Sequence, residues 1–268
     1  MAVLVFIVIS FCVGLFFIFI GDDSEEITAE ESAEQENCNV YGVVLHGELV
    51  TYIPQNDFNE SGSVITDKVA SEDLVYYIDQ AEKDEKIKAI VLEIDSYGGG
   101  PVADEEVANA LKRATKPTVA LIRSAGLSAA YYAATGADVI FAAKESDVGS
   151  IGVTLSYLDY AKQNQNNGAT FNQISSGKYK DLMNPDKLLT DEEKSLLMRD
   201  VEIIKKNFIK AVAENRKLDI NKVRVLADGS SMLGEMALKN GLIDRIGGYY
   251  EVKEYLKEQI GEEVEICW

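Results

Sequence analysis

Four short apolar runs, at residues 40–45, 89–94, 118–122 and 139–142, recur along this chain with helical stretches between them. The helical stretches lie at 74–82, 102–113 and 128–135. Apolar runs of strand length alternating with helices predict an α/β domain. Further on, residues 191–217 predict a long amphipathic helix. Thr190 followed by Glu193 forms a capping box at its start. Leu197, Val201, Ile204, Phe208 and Val212 follow helical spacing, so they should form one buried stripe that faces the core or a second copy.

The chain begins differently. Residues 2–20 are almost wholly apolar. At about 1.5 Å rise per residue they just span a hydrocarbon core of about 30 Å. A cleaved leader would need a basic start and a small-residue cleavage site. No Lys or Arg precedes the run, and Phe-Ile-Gly-Asp-Asp closes it, so a retained anchor is expected. The first basic residue is Lys68, so nothing holds the following chain in the cytoplasm. Residues 21–37 carry eight acids and no base, the composition of an extended, self-repelling linker. The expected organisation is an anchor over 1–21, an acidic linker over 22–37 and a folded domain over 38–268. That places the chain in the cell membrane by a single pass, with the domain outside the cytoplasm.

Charge and histidine count exclude several functions. With 45 acids against 26 bases the net charge is −19, and no basic patch suits a nucleic acid. The one histidine, His46, lies in a strand-like run, which rules out a histidine-rich metal site. It also leaves a Ser-His-Asp triad only if His46 is the base. A serine nucleophile in this chain would otherwise need another base, and lysine is the usual substitute. Cys38 and Cys267 can pair only if the chain ends meet in space, and no cysteine spacing suggests zinc.

Four segments could carry chemistry. Ile94-Asp-Ser-Tyr-Gly-Gly-Gly-Pro-Val102 follows a strand and precedes a helix. Its glycines allow a ligand close to main-chain N–H groups, which suits an oxyanion or a phosphate, or simply a turn. It has neither Walker A nor dinucleotide spacing. In Leu127-Ser-Ala-Ala-Tyr-Tyr132, small residues surround Ser128 where a strand gives way to a helix. The serine is either a nucleophile held by a rigid element, with the Ala129 N–H free to donate, or a plain helix cap. Ser176-Gly-Lys-Tyr-Lys-Asp181 follows a strand-like stretch at 170–174 and offers two lysines. A lysine acts as a base only when burial favours its neutral form, whereas loop lysines are ordinarily solvated. Ser150, between glycines in Gly149-Ser-Ile-Gly-Val153, could orient an amine or shape a turn.

Taken in order, these segments resemble the signal peptide peptidase A family of Ser/Lys proteases. The likeness runs from about Val40 to Gly248. It covers an Asn-Ser-Pro-Gly-Gly-like loop at 95–99, the nucleophile segment at 127–132, Gly149–Val153 unchanged and the lysine segment at 176–181. Ala227-Asp-Gly and Gly241-Leu-Ile-Asp-Arg-Ile-Gly-Gly248 add C-terminal landmarks. The resemblance implies a Clp protease/crotonase-like fold of repeated β-β-α units behind one transmembrane helix. It implies Ser128 as nucleophile, Lys180 rather than Lys178 as general base, and Ser150 as the residue holding the lysine amine. The N–H groups of Gly99 or Gly98 and of Ala129 would form the oxyanion hole. Family members are homo-oligomers whose substrate sites can span subunits. Their implied substrates are apolar, extended peptides such as cleaved signal peptides, hydrolysed through an acyl-enzyme without metal or nucleotide.

Three departures stand out. Tyr97 replaces the usual proline, which loosens the oxyanion loop by sequence, Asp95 replaces asparagine, and Ala129 and Ala130 replace two glycines. Two other classes compete: an inactive membrane scaffold that binds peptides or proteins, and a crotonase-like acyl-CoA enzyme. The intact Ser/Lys pair speaks against both.

Overall fold

The computed structural model describes residues 38–59 and 61–268. The expected anchor at 2–20 and the linker lie outside the described residues. Among the described residues no helix is long and apolar enough to cross a membrane.

The four apolar runs are the centre of one sheet. β1 (Val40–Val50), β3 (Ala89–Gly99), β4 (Thr118–Leu127) and β5 (Val139–Ala142) lie side by side, all parallel. β2 (Lys68–Ala70) flanks the C-terminal half of β1, and β8 (Arg245–Ile246) flanks β5. Parallel strands need crossovers, and helices supply them. α1 (Ser71–Lys83) precedes β3, α2 (Ala103–Arg113) joins β3 to β4, and α3 (Ala129–Ala134) joins β4 to β5. β6 (Asp147–Gly149) pairs with the end of β4 and with antiparallel β7 (Ser231–Leu233).

Side chains alternate between the two faces of each strand. Ile90, Leu92 and Ile94 of β3 and Ala120 and Ile122 of β4 meet Leu74 and Ile78 of α1, Val107 and Leu111 of α2, and Tyr131 of α3. Val91, Val119 and Leu121 point the other way, onto Val252 and Leu256 of α8 (Tyr249–Ile260). Burial on both faces explains why the runs are continuously apolar. A fully buried Leu or Ile contributes about 2–3 kcal/mol, so these facing rows set the stability of the sheet.

The long helix is α5 (Asp191–Asn215), and Thr190 and Glu193 cap it reciprocally. Lys187 anchors the same glutamate at 2.6 Å. The predicted stripe splits in two. Phe208 and Val212 are buried, whereas Leu197, Val201 and Ile204 are only partly covered, because the first half of α5 projects beyond the core. The strand-like stretch at 170–174 is not a strand. No neighbouring strand offers it a ladder, and Ile174 is fully solvent-facing at 98% exposure. α4 (Ala161–Asn166) is the only regular element between β6 and α5. α6 (Ile220–Leu226) and α7 (Gly234–Asn240) complete the helical side.

The two ends of the folded domain meet. β9 (Ile266–Cys267) adds to the start of β1, and Cys38 and Cys267 form a disulfide with Cα atoms 5.6 Å apart. Trp268 lies over Gly42, where any side chain would collide with the indole, and packs edge-on against Tyr249 at 5.7 Å.

Candidate active site

The C-terminal ends of β3 and β4 carry the first two candidate segments, and the sheet brings them together. β3 continues as a strand through Asp95–Gly99, and β4 through Arg123–Leu127. Their register shifts between Ile94 and Ser96, the one irregularity along that pair. Asp95 sits at the shift. Its Oδ1 accepts the Ala125 N–H at 3.1 Å and so ties the glycine loop to β4. Buried Ser96 works on the other side. Its Oγ donates to the Gly47 carbonyl at 2.5 Å and accepts the Gly98 N–H at 3.1 Å. These two clamps hold the loop in place of the missing proline, while Tyr97 projects into solvent.

Ser128 follows directly on β4 and opens α3. Its φ of 51° and ψ of −123° are those of a sharp, strained turn, which a non-glycine residue adopts only when its surroundings enforce it. The enforcement is visible. The Ser128 N–H donates to the Gly149 carbonyl at 2.8 Å, and its own carbonyl accepts the Tyr132 N–H at 2.9 Å. Ala129 is the first residue of α3, where helical N–H groups have no partner within the helix.

Gly98 faces this turn with φ 115°; a Cβ there would lie 2.8 Å from the Ser128 Cβ and 3.2 Å from the Ala129 nitrogen. Because the Gly98 N–H is engaged by Ser96, the Gly99 amide is the donor of that loop left to be paired with Ala129. Gly99 lies against the Leu49 backbone and accepts no side chain either.

The fourth segment joins the same place. Gly149, the last residue of β6, pairs with Leu127, and Ser150 follows it at φ 50°. Ser150 donates its N–H to the Ser230 carbonyl at 3.1 Å and its hydroxyl to the Gly229 carbonyl at 3.0 Å. Its oxygen keeps its lone pairs for another donor. The sequence at 227–229 is thereby a support for the segment beside Ser128.

The lysine segment does not line the cleft that opens beside Ser128. Lys180 is exposed, and among the described residues its amine makes no hydrogen bond or ion pair. Lys178 differs: Glu192 binds its amine and also the Tyr179 hydroxyl, and that hydrogen bond holds Lys178 more firmly in its charged form. A single chain thus assembles Ser128, Ala129, Gly98, Gly99 and Ser150, with no hydrogen bond to the Lys180 amine among the described residues.

His46 is occupied as well. Its Nε2 contacts Glu93 Oε1 at 2.8 Å, Arg123 lies 3.3 Å from the same carboxylate, and Arg123 stacks on Tyr249 of α8. The histidine belongs to a charged cluster that includes the first turn of α8, not to the turn at Ser128.

A cleft of about 360 Å³ runs from Ser128 along α2 and α5, walled by Gly99, Val102, Tyr132 and Phe208. Asp104, in the first turn of α2, lies in its lining at 5% exposure. Burial pushes its carboxyl up to about 7. Burial, with Asp104 nearby, also raises the Tyr132 phenol to about 12. The sequence reading missed Asp104, because an acid in a first helical turn is ordinary. No group of His, Cys, Asp and Glu suited to a metal occurs among the described residues.

Residues 110–263 match peptidase family S49. A protein of Methanocaldococcus jannaschii, provisionally named a protease, is 34% identical over 87% of this chain and 76% of its own. A protein of Enterococcus faecium, provisionally named a signal peptide peptidase, is 31% identical over 92% of this chain and 70% of its own. The chloroplastic serine protease SPPA of Arabidopsis thaliana is 31% identical over 67% of this chain but only 27% of its own. A mutant ClpP1 from Listeria monocytogenes shares the fold at 11% identity, with a TM-score of 0.51, 83% of this chain and 98% of that one covered.

Proposed function

The chain belongs to peptidase family S49 and is a serine peptidase, and on that premise we propose that Ser128 is its nucleophile and Lys180 its general base. The observation that carries the nucleophile is the enforced turn at Ser128, with Gly98 packed against it and Gly99 and Ala129 in the same cleft lining. Neutral Lys180 would take the hydroxyl proton as Oγ attacks a peptide carbonyl. The amides of Gly99 and Ala129 would hold the oxyanion, a contribution of about 3–4 kcal/mol per donor in serine proteases. The protonated lysine then gives its proton to the leaving amine, and water, deprotonated in turn, releases the acyl group from Ser128.

Since Lys180 is exposed in one chain, we place the working dyad in a homo-oligomer, with Lys180 reaching Ser128 of a neighbouring copy and Ser150 accepting from its amine. The surface around the lysine segment supports this. Leu158, Ile174, Leu188 and Met198 are all more than half exposed there, an expensive surface to leave in water.

Residues 2–20 would anchor the protein in the cell membrane, with the domain outside the cytoplasm. The Cys38–Cys267 disulfide supports that side, because such bonds persist in oxidising compartments. Apolar, extended peptides at the membrane, such as signal-peptide remnants, are the substrates this placement favours. The test is labelling of the full-length chain in detergent by a fluorophosphonate probe. Modification at Ser128, lost in Ser128→Ala, is expected; turnover of peptides without it would refute the nucleophile.

A further inference from the structure

The cleft beside Ser128 has a chemical asymmetry that a purely apolar substrate does not use. Its lining includes two carboxylates, Asp104 and Glu105, and no Lys or Arg. Glu105 is exposed at the rim, whereas Asp104 is 95% buried, as its 5% exposure implies. Asp104 Oδ1 is wholly buried and has no hydrogen-bond partner. A buried polar atom left unpaired costs about 1–3 kcal/mol, so native proteins leave few of them without a role. Asp104 donates its own N–H to the Gly100 carbonyl at 3.3 Å, and the Glu105 amide is the neighbour that bears on its carboxyl. Around the acid the walls are Val102, Tyr132, Phe208 and Ile204, with Tyr132 and Phe208 packed ring to ring at 5.3 Å.

From this arrangement we infer that Asp104 is the specificity determinant of the peptidase, receiving a Lys or Arg side chain from the substrate residue whose carbonyl Ser128 attacks. The walls suit the aliphatic stem of such a side chain, and the ring faces suit its charged head. The carboxyl, which lies in the cleft lining, gains a charge-assisted hydrogen bond when it turns an oxygen to the cation. Burial favours the protonated carboxyl up to about pH 7, and an arriving cation takes that proton's place as the proton leaves to solvent. Lys180 is not the partner, since an amine salt-bridged to a buried carboxylate stays charged and cannot serve as a base. The inference rests on the Ser/Lys peptidase reading and narrows it. A basic residue bordering an apolar stretch is how a signal peptide begins, so the two substrate descriptions are compatible.

The experiment uses the full-length chain in detergent and fluorogenic peptides that differ only at the residue before the cleaved bond. With Lys or Arg there, kcat/KM is expected to exceed that with Leu by about tenfold or more. In Asp104→Asn, which keeps size and shape, the Lys-to-Leu ratio should fall to about one. A wild-type preference for Leu or Ala, with the ratio unmoved by Asp104→Asn while Ser128 still takes the fluorophosphonate label, overturns the inference and spares the peptidase reading. Absence of both turnover and label refutes the peptidase reading instead. Binding then decides the fate of Asp104: in Ser128→Ala, fluorescence anisotropy should show the Lys peptide bound more tightly than the Leu peptide, and equal affinities overturn the inference.

Discussion

Gly98 stands so close to Ser128 that a methyl group on its Cα would lie 2.8 Å from the serine Cβ. The glycine also occupies φ 115°, which side-chain-bearing residues avoid. Gly98→Ala should therefore push the turn at Ser128 out of place. A displacement of about 1 Å at a reacting centre can cost about a hundredfold in rate. We expect kcat to fall by at least that factor and, from the backbone strain of about 1–3 kcal/mol, the melting temperature to fall by several degrees; steady-state kinetics beside calorimetry check both parts.

Ser128→Ala and Lys180→Ala should each be silent, and the structure suggests a sharper use for the pair. If the dyad joins two copies, co-assembled Ser128→Ala and Lys180→Ala chains create some sites with both groups intact, about a quarter at random mixing. Co-expression with two affinity tags, followed by a peptidase assay on the doubly purified assembly, should recover activity of that order. A mixed assembly as silent as its parents would place serine and lysine in one chain.

Asp104 gives a pH signature in stability. Burial, with Glu105 beside it, raises its carboxyl to about 7, against about 4 in an unfolded chain. The folded state therefore holds the proton more tightly than the unfolded state does. Its stabilising contribution is full below about pH 4 and is lost as pH rises through about 7. Asp104→Asn cannot ionise and should lose this slope, gaining on wild type by up to about 4 kcal/mol between pH 4 and 8. Denaturant unfolding of both proteins at the two pH values measures the difference, and parallel pH dependences would contradict the buried carboxyl.

Reduction of Cys38–Cys267, or Cys267→Ser, opens a loop that spans 229 residues. The chain-entropy relation assigns roughly 5–6 kcal/mol to such a closure. For a domain of this size that corresponds to a melting temperature lower by about 10–20 °C. Thermal scans with and without reductant give the value directly, and an unchanged midpoint would mean that β9 and Trp268 hold the ends unaided.

The strands and helices were legible where burial imposes a period. Residues 139–142 were read to the residue, and the capping box placed the start of α5. The extensions of β3 through Asp95–Gly99 and of β4 through Arg123–Leu127 were not, because polar and glycine residues carry no alternation and are held by parallel neighbours and two side-chain clamps. Residues 170–174 have strand-like composition, yet pairing needs a partner, which local sequence cannot report. Ser128, the glycine loop and Ser150 were legible as ordered motifs, and the fold brings them to one corner. Asp104 was invisible for a different reason: its meaning lies in what surrounds it, and a helix-start acid looks the same whether solvated or entombed. The disulfide likewise depended on where the two ends finish.

That closure has a consequence for a peptidase whose stretch between β6 and α5, with α4 its one regular element, is largely exposed. Cys38 stands at the threshold of the domain and Cys267 one residue from its end, so the described polypeptide is a covalent ring. A single cut anywhere in that stretch yields two pieces that both remain joined to the N-terminal segment. Self-cleavage there would neither shed a fragment nor free the domain, and losing half of the enzyme requires two cuts or a reductant.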